Sequence, residues 1–393
     1  MKAFFLIISL LILTCQYFAL AQCDRASIIN DYLVNYQANN FTVDDLNWTG
    51  NTNTCYIGNF NNSVNTKMLN RLKFLRRLCA LNDDITFLES LNIKCRDAVL
   101  MFEKNETISH CAGANDAPCN NWQCTSTDAI FAAQHSNLSY GDWDYHDPVD
   151  LYILEEGDFN NALPHMKWIL YSKAKTFGNA LGPNTNVMYI YNNFGNPSMN
   201  QKPYIAFPPE GFVPATIVKN KWFFAIPNAS FTNANVTIKN ENGNNIPLTI
   251  TTRNQFYGDK AITWIVNNID TESIYDKNYT VTVSGINNAS ASSYTYSIKI
   301  AQPMHPPPCP NNLVWSDNDC ACVNVQSCAQ NLTISNENLT TGVYKVANQL
   351  TVQNSTVISN QNVSFIAENR VVIKSDFRLN AGTSLKIDIQ SCP

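Results

Sequence analysis

The stretch LPHMKWIL, residues 163–170, sets a histidine behind a proline and just ahead of Trp168, Ile169 and Leu170. An imidazole beside such apolar, strand-like sequence is either a buried hydrogen-bonding group or one wall of a site, because its ring nitrogens titrate near neutrality and also ligate metals. Glu155 and Glu156 stand shortly before it, and adjacent carboxylates on an amphipathic helix are ordinarily solvated. Four aspartates, Asp142, Asp144, Asp147 and Asp150, crowd the stretch YGDWDYHDPVD. Their spacing is not that of a calcium loop. Asp147 has another use, since as an N-cap it can accept from free amides while Pro148 takes the first helical position, where its missing N–H costs nothing. A solvated acidic loop is the expectation. His135, His146 and His305 read as surface residues.

Groups of this kind need elements to hold them, and the chain changes texture along its length. In a first region, 22–200, the periodicity is mostly helical from about 25 to 170. MLNRLKFLRRLCAL carries Leu69, Leu72, Leu75, Arg76 and Cys79 on one helix, and FLESLNIKCRDAVLMFEK repeats Leu88, Leu91, Cys95, Ala98, Val99 and Phe102 at intervals of three and four. A third helix begins at HDPVDLYILEEG, with Gly157 placed to stop it.

Over 201–301 the pattern turns to strands. WFFAIP, NVTIKN, IPLTITT, AITWIV, YTVTVSG and SYTYSIKI alternate at period two, with Asn242-Gly243 suited to a tight hairpin turn. An antiparallel β-sandwich is expected there. Residues 302–328 hold a stiff proline linker, PMHPPPCPNN, and a cysteine-rich stretch. From 329 to 393 the apolar pairs Val357/Ile358, Val363/Phe365, Val371/Ile373, Phe377/Leu379 and Leu385/Ile387 recur regularly, which predicts a short β-solenoid-like region with Cys392 at its end. The fold class expected is α+β.

The N-terminus MKAFFLIISLLILTCQYFALAQC reads as a secretory signal over 1–21, with Lys2 at its start, an apolar core from Phe4 to Leu13 and a small-x-small site at Ala19-Leu20-Ala21. No later run is apolar for the roughly 18 residues that a membrane helix takes. Of thirteen cysteines, Cys15 leaves with the signal, and the remainder suit an oxidising compartment. Seven precede residue 125 and five follow residue 308, so either one bridge joins the two groups or two thiols stay free. Neither group has zinc-finger spacing. Sequons recur from Asn40 to Asn362, as in a glycoprotein. The formal charge is -5 with no basic run, which argues against nucleic-acid binding.

Three pieces taken in order carry a resemblance. They are LNRLKFLRRLCAL followed by ISH ending at His110; HSNLSYG at 135–141; and YILEEGDFNNALPHMKWIL at 152–170 with FGNALG and VMYIY behind it. Together they resemble the CAP superfamily of cysteine-rich secretory, antigen 5 and pathogenesis-related proteins, in the divergent form common among bacteria. FPPEGFVP, WFFAIPNASFTNANVTI, YGD at 257–259 and AITWIV resemble the sandwich module that often follows that domain. The likeness covers roughly residues 25–300, and the tail lies outside it.

The resemblance implies an α-β-α sandwich for 22–200, with a central cleft lined by two histidines and two glutamates that can hold a divalent metal. His110 takes the place of the histidine ending the second helix. Glu155 takes that of the helical glutamate, with Tyr152 where the family has tryptophan, and His165 that of the histidine leading into the central strand. The fourth position departs from the family: where it has G-E-N, this chain has His135-Ser136-Asn137, so Ser136 replaces a carboxylate. Two imidazoles and one carboxylate can still bind Zn2+ or another divalent ion with water in the fourth place, although losing an anionic ligand weakens such a site. The candidate cleft is therefore His110, Ser136, Glu155 and His165, and the candidate metal ligands are His110, Glu155 and His165.

By that resemblance a non-enzymatic role is favoured: a secreted, disulfide-stabilised extracellular protein whose ligand is a small apolar molecule such as a lipid, a glycan or a partner protein. Two alternatives stand beside it. Ser136, His165 and Glu155 are the types of a hydrolytic relay, as in a peptidase or esterase, although no G-x-S-x-G elbow surrounds the serine. The C-terminal coils could instead serve adhesion to a surface or matrix.

Overall fold

The structure is a computed structural model that describes residues 24–389 apart from 113–117, 142, 145–146, 158–159, 192–193, 197–198, 200–201, 256, 304–308, 310–312, 317–320, 325–330 and 340–341. The expected signal sequence, Asp142, His146, His305 and Cys392 lie outside the described residues, as do most of the proline linker and cysteine-rich stretch. The chain divides into two compact units, 1–307 and 308–393, and combines helices with several sheets in an α+β fold.

The N-terminal half holds helices α1 (Asp24–Asn35), α2 (Val43–Leu46), α3 (Asn62–Leu78), α4 (Glu89–Asn105), α5 (Thr127–Gln134), α6 (Pro148–Leu154) and α7 (Pro164–Ile169). Helix α3 starts where the Asn61 side chain accepts from the Ser63 amide, and it buries Met68, Leu72 and Leu75 on one face. Helix α4 buries Leu91, Cys95, Val99 and Phe102, the stripe expected from the sequence. Both helices flank a sheet of β1 (Thr86–Phe87), β2 (Ser136–Tyr140), β3 (Thr176–Leu181) and β4 (Thr185–Tyr189), ordered β1-β3-β4-β2. Strand β1 runs parallel to β3, and the other pairs are antiparallel.

Helices α4 and α5 share one core with Ala180, Val187 and Tyr189 of the sheet, while α3, α6 and α7 share another with Phe177, Leu181 and Met188. Gly178 permits the close approach of α4, because a Cβ there would lie 2.5 Å from Leu91 Cβ.

All six strands expected over 201–301 form, joined by two short ones that lack a full alternating period. The set is β5 (Ile205–Phe207), β6 (Gly211–Pro214), β7 (Lys221–Ala225), β8 (Asn235–Asn240), β9 (Leu248–Arg253), β10 (Ala261–Val266), β11 (Lys277–Ser284) and β12 (Ser293–Ala301). They make two four-stranded sheets, β5-β7-β10-β9 and β6-β12-β11-β8. Phe224 from the first sheet stacks on Tyr296 of the second at 6.0 Å between ring centroids. The pairing is antiparallel except between β6 and β12.

The chain does turn at Asn242-Gly243, with Gly243 at φ 78, but the expected hairpin is reduced to a bridge between Lys239 and Asn245. Beyond it β9 crosses to the opposite sheet, where it pairs with β10. A single apolar core runs from Leu72 of α3 through Met166 of α7 to Trp222 and Trp264 of the sandwich region.

In the second unit β13 (Leu313–Ser316) and β14 (Ala321–Asn324) pair antiparallel. The rest winds as three coils: β15 (Asn331–Ser335), β16 (Asn338–Leu339) and β17 (Gly342–Val346); β18 (Gln349–Gln353), β19 (Thr356–Val357) and β20 (Asn362–Ala367); and β21 (Arg370–Ile373), β22 (Arg378–Leu379) and β23 (Ser384–Ile389). Like strands of successive coils pair in parallel and form three sheets. At one corner Asn331, Asn348 and Asn369 hand amide hydrogen bonds from coil to coil.

Two disulfides join described residues of the helical region, Cys55–Cys124 and Cys111–Cys119. Cys79 and Cys95 are free and buried, and burial pushes each thiol up to about 12.

Candidate functional site

The segment expected to lead His165 into a strand is instead helix α7, and the strand begins only at Thr176. Pro164 occupies the first turn, where its fixed φ favours a helix, and the Glu155 carboxylate accepts from the free Met166 amide at 2.8 Å. Glu155 ends α6 itself, two residues before the expected Gly157, by taking a left-handed conformation at φ 49. Lys221 Nζ then donates to the carbonyls of Glu155 and Gly157 at 2.6 and 2.7 Å, setting a cation on the negative helix end.

Fully buried, the Glu155 side chain accepts from His165 Nδ1 at 2.8 Å through its other oxygen. An ionised carboxylate only accepts, so Nδ1 carries the proton and Nε2 is the ring nitrogen left to the cleft. The imidazole also stacks on Tyr152 at 5.4 Å, and the Tyr152 hydroxyl donates to Asn186 Oδ1 at 2.7 Å. Asn137 of β2 donates to the His165 carbonyl at 3.1 Å, fixing the helix to the sheet.

His110 does not end the second helix. Helix α4 stops at Asn105 because Glu106 turns left-handed, and His110 lies in the loop beyond, next to the Cys111–Cys119 bridge. His110 instead meets the C-terminal end of α5. Its Nδ1 meets the Ala133 carbonyl at 2.9 Å. His135, expected at the surface, is half-buried and lines the cleft, with Nδ1 at 2.7 Å from the Phe131 carbonyl and its ring among Phe131, Tyr189 and Tyr191. A carbonyl only accepts, so these two rings also protonate Nδ1 and keep Nε2 for other partners.

His110, Ser136 and His165 thus line one cleft of about 480 Å³, with Gln134, His135, Asn137, Asn160, Trp168, Tyr191 and Tyr257 among its other walls. Glu155 stands behind His165 rather than on the surface of the cleft. Both of its oxygens are engaged by protein donors. Among the described residues no group of three His, Cys, Asp or Glu side chains can hold a metal ion, so His110, Glu155 and His165 do not assemble the metal site the resemblance implied. Ser136 is buried and donates its proton to the Ala132 carbonyl at 2.6 Å, which removes it from the relay suggested by residue type.

One wall comes from the sandwich region. Gly258 sits at φ +65, and a Cβ there would lie 2.7 Å from the Lys167 carbonyl, so the YGD loop lies directly against α7. Asp259 accepts from the Ser172 amide at 2.8 Å and its hydroxyl at 3.1 Å, although burial raises its carboxyl above the ordinary value. Lys167 is buried beneath Tyr257, with its Nζ 5.7 Å from the ring centroid and donating to the Gln255 carbonyl at 3.2 Å. Burial lowers its ammonium to about 8, against the opposing pull of Glu155 and Asp259.

The aspartate loop is not simply solvated. Asp147 caps α6 as expected, but it also meets buried Arg71 at 3.1 Å, and Arg71 reaches Asp150 at 2.6 Å. Burial pushes the Asp147 carboxyl up to about 6 even beside that guanidinium. Asp144 accepts from the Val43 amide at 3.1 Å. The signal for this network was present in α3, where Arg71 interrupts an apolar face. His135, Lys167 and Tyr257 were missed because a turn, a short helix and a distant loop meet only in three dimensions.

No family model, curated protein or solved structure matches the chain.

Proposed function

We propose that the protein is a secreted, disulfide-stabilised binding protein whose cleft holds a hydroxyl-rich ligand, a glycan, between aromatic rings and imidazole acceptors. The observation that carries this reading is the shared wiring of three histidines. His110, His135 and His165 each commit Nδ1 to a protein acceptor, which gives the cleft three Nε2 atoms able to accept from ligand hydroxyls. Gln134, Asn137 and Asn160 add amides, while Trp168, Tyr191 and Tyr257 offer flat apolar faces. A wholly apolar ligand would strip water from these polar groups without replacing their hydrogen bonds, at a cost of about 1–3 kcal/mol for each one left unpaired.

The two disulfides and the lack of a membrane-length helix among the described residues are compatible with an extracellular setting. Helices on both faces of the β1-β3-β4-β2 sheet support reading the first region as the α-β-α sandwich of the CAP superfamily. The parallel coils support reading the tail as a short β-solenoid.

Binding is tested on an array of neutral oligosaccharides, followed by titration calorimetry for the ligands retained. His165→Ala and Trp168→Ala are each expected to weaken binding about tenfold or more. Wild-type affinity retained in both variants, or an empty array, overturns the glycan reading.

A second reading rests on the Glu155–His165 contact, since an imidazole held by a buried carboxylate can act as a base toward water. Peptidase or esterase turnover abolished by His165→Ala would support it. No turnover across substrate panels removes it.

A further inference from the structure

The coil stack of the second unit ends in an apolar face that is nearly its own mirror along the chain. Interior columns read Leu350–Val371 and Val352–Ile373 on one sheet, Val357–Leu379 on the next, and Val363–Leu385 and Phe365–Ile387 on the third. The middle-coil members are buried, whereas Ile373 is 40%, Leu379 50% and Ile387 48% exposed. Among the described residues no strand lies beyond them, and β21, β22 and β23 are each the outermost strand of their sheet. Edges of this kind invite pairing.

The chain order of this last coil identifies what fits. Counting outward from Leu379, Ile373 and Leu385 stand six residues away on either side, Val371 and Ile387 eight, and Arg370 and Asp388 nine. Opposite residues of an antiparallel pair point to the same side. A twofold axis through Leu379 would therefore set β21 of one copy against β23 of the other with every interior residue facing an interior residue. It would also place Arg370 opposite Asp388 on both flanks. Arg370 already donates to Gln349 Oε1 at 2.5 Å, and Asp388 accepts from Lys386 at 3.0 Å, so both side chains lie along the strands that would meet.

We infer that this face is a homodimer surface, on which two copies join end to end through their last coils about a twofold axis at Leu379. The cleft takes no part in it, so the inference is independent of the glycan reading. One coil end is a small surface for an interface, and association is accordingly concentration-dependent.

Sedimentation velocity of the full secreted chain over roughly 1 to 100 µM tests it. The expected result is a mass that rises from one chain toward two. Leu379→Lys sets two ammonium groups against each other on the axis and keeps the chain monomeric; since Leu379 is exposed, folding, checked by circular dichroism, is unaffected. Arg370→Asp opposes two carboxylates at each flank and raises the dimer dissociation constant about tenfold, and adding Asp388→Arg restores it. A wild-type chain that stays monomeric overturns the inference. So does a dimer that ignores Leu379→Lys, or one that Asp388→Arg fails to rescue.

Discussion

His165 Nδ1 lies 2.8 Å from Glu155 Oε2, and the opposite oxygen of the same carboxylate takes the Met166 amide at 2.8 Å. One buried acid therefore fixes both the start of α7 and the proton position on the imidazole at the cleft surface. Glu155→Ala leaves two donors unpartnered and should destabilise the fold by about 2–3 kcal/mol, read from urea denaturation. Glu155→Gln keeps the volume but adds an amide donor. In nitrogen-15 spectra the wild-type His165 ring is expected in the Nδ1-protonated tautomer, and the variant in a mixture. An unchanged ring spectrum in Glu155→Gln would show that the acid does not set the tautomer.

Arg71 is fully buried and its guanidinium lies 3.1 Å from Asp147 and 2.6 Å from Asp150. Burial alone would lower its ionisation, but Tyr36, Asp147 and Asp150 together hold it above the ordinary arginine value. Arg71→Met strands the Asp147 carboxylate and should cost about 3–5 kcal/mol. Adding Asp147→Asn, which retains the capping oxygen, should recover much of that loss. If the double variant is no more stable than the single one, the penalty does not come from the stranded charge.

Lys167 gives a pH signature. Its ammonium is lowered by burial to about 8, while an unfolded lysine titrates near ~10.4. Between those values the unfolded chain binds a proton that the folded chain does not, so this residue makes stability rise with pH across the window. At pH 7 it is charged in both states and its burial carries the full cost. Lys167→Met should therefore be more stable than wild type at pH 7, by about 1–3 kcal/mol, with the gap closing toward pH ~10.5. A gap that stays constant over pH 7–10.5 argues that Lys167 titrates normally.

The free thiols make a chemical prediction. Cys79 and Cys95 are buried, and their thiolates are disfavoured by that burial. Under native, non-reducing conditions an alkylating reagent should leave both unmodified, and in denaturant both should react, as located by peptide mapping. Labelling of either in the native protein would mean that α3 or α4 opens locally.

Much of this architecture was readable where one residue repeats a rule along one element. The stripes of α3 and α4, the Asp147-Pro148 start of α6 and the six alternating strands are of that kind. Reading failed where a local preference was decided by a distant partner. LPHMKWIL looked strand-like, yet Glu155 caps it as a helix. Gly157 looked like a stop, but Lys221 from another strand gathers the carbonyls earlier. Asp147 and Asp150 looked solvated because nothing nearby in sequence announces Arg71. In the candidate site His110, Ser136 and His165 were named in advance, whereas His135 was set aside as a surface residue and Tyr257, though part of the quoted YGD motif, was not assigned to the cleft, being supplied by a loop about ninety residues further on.

That loop changes what the second region is for. Because Gly258 lies on the backbone of α7 and Tyr257 forms a wall of the cleft, the strands after residue 200 are no detachable spacer. A chain cut between the two would lose a side of the proposed binding site and bare the seam of a common interior, so the pair should unfold as one piece.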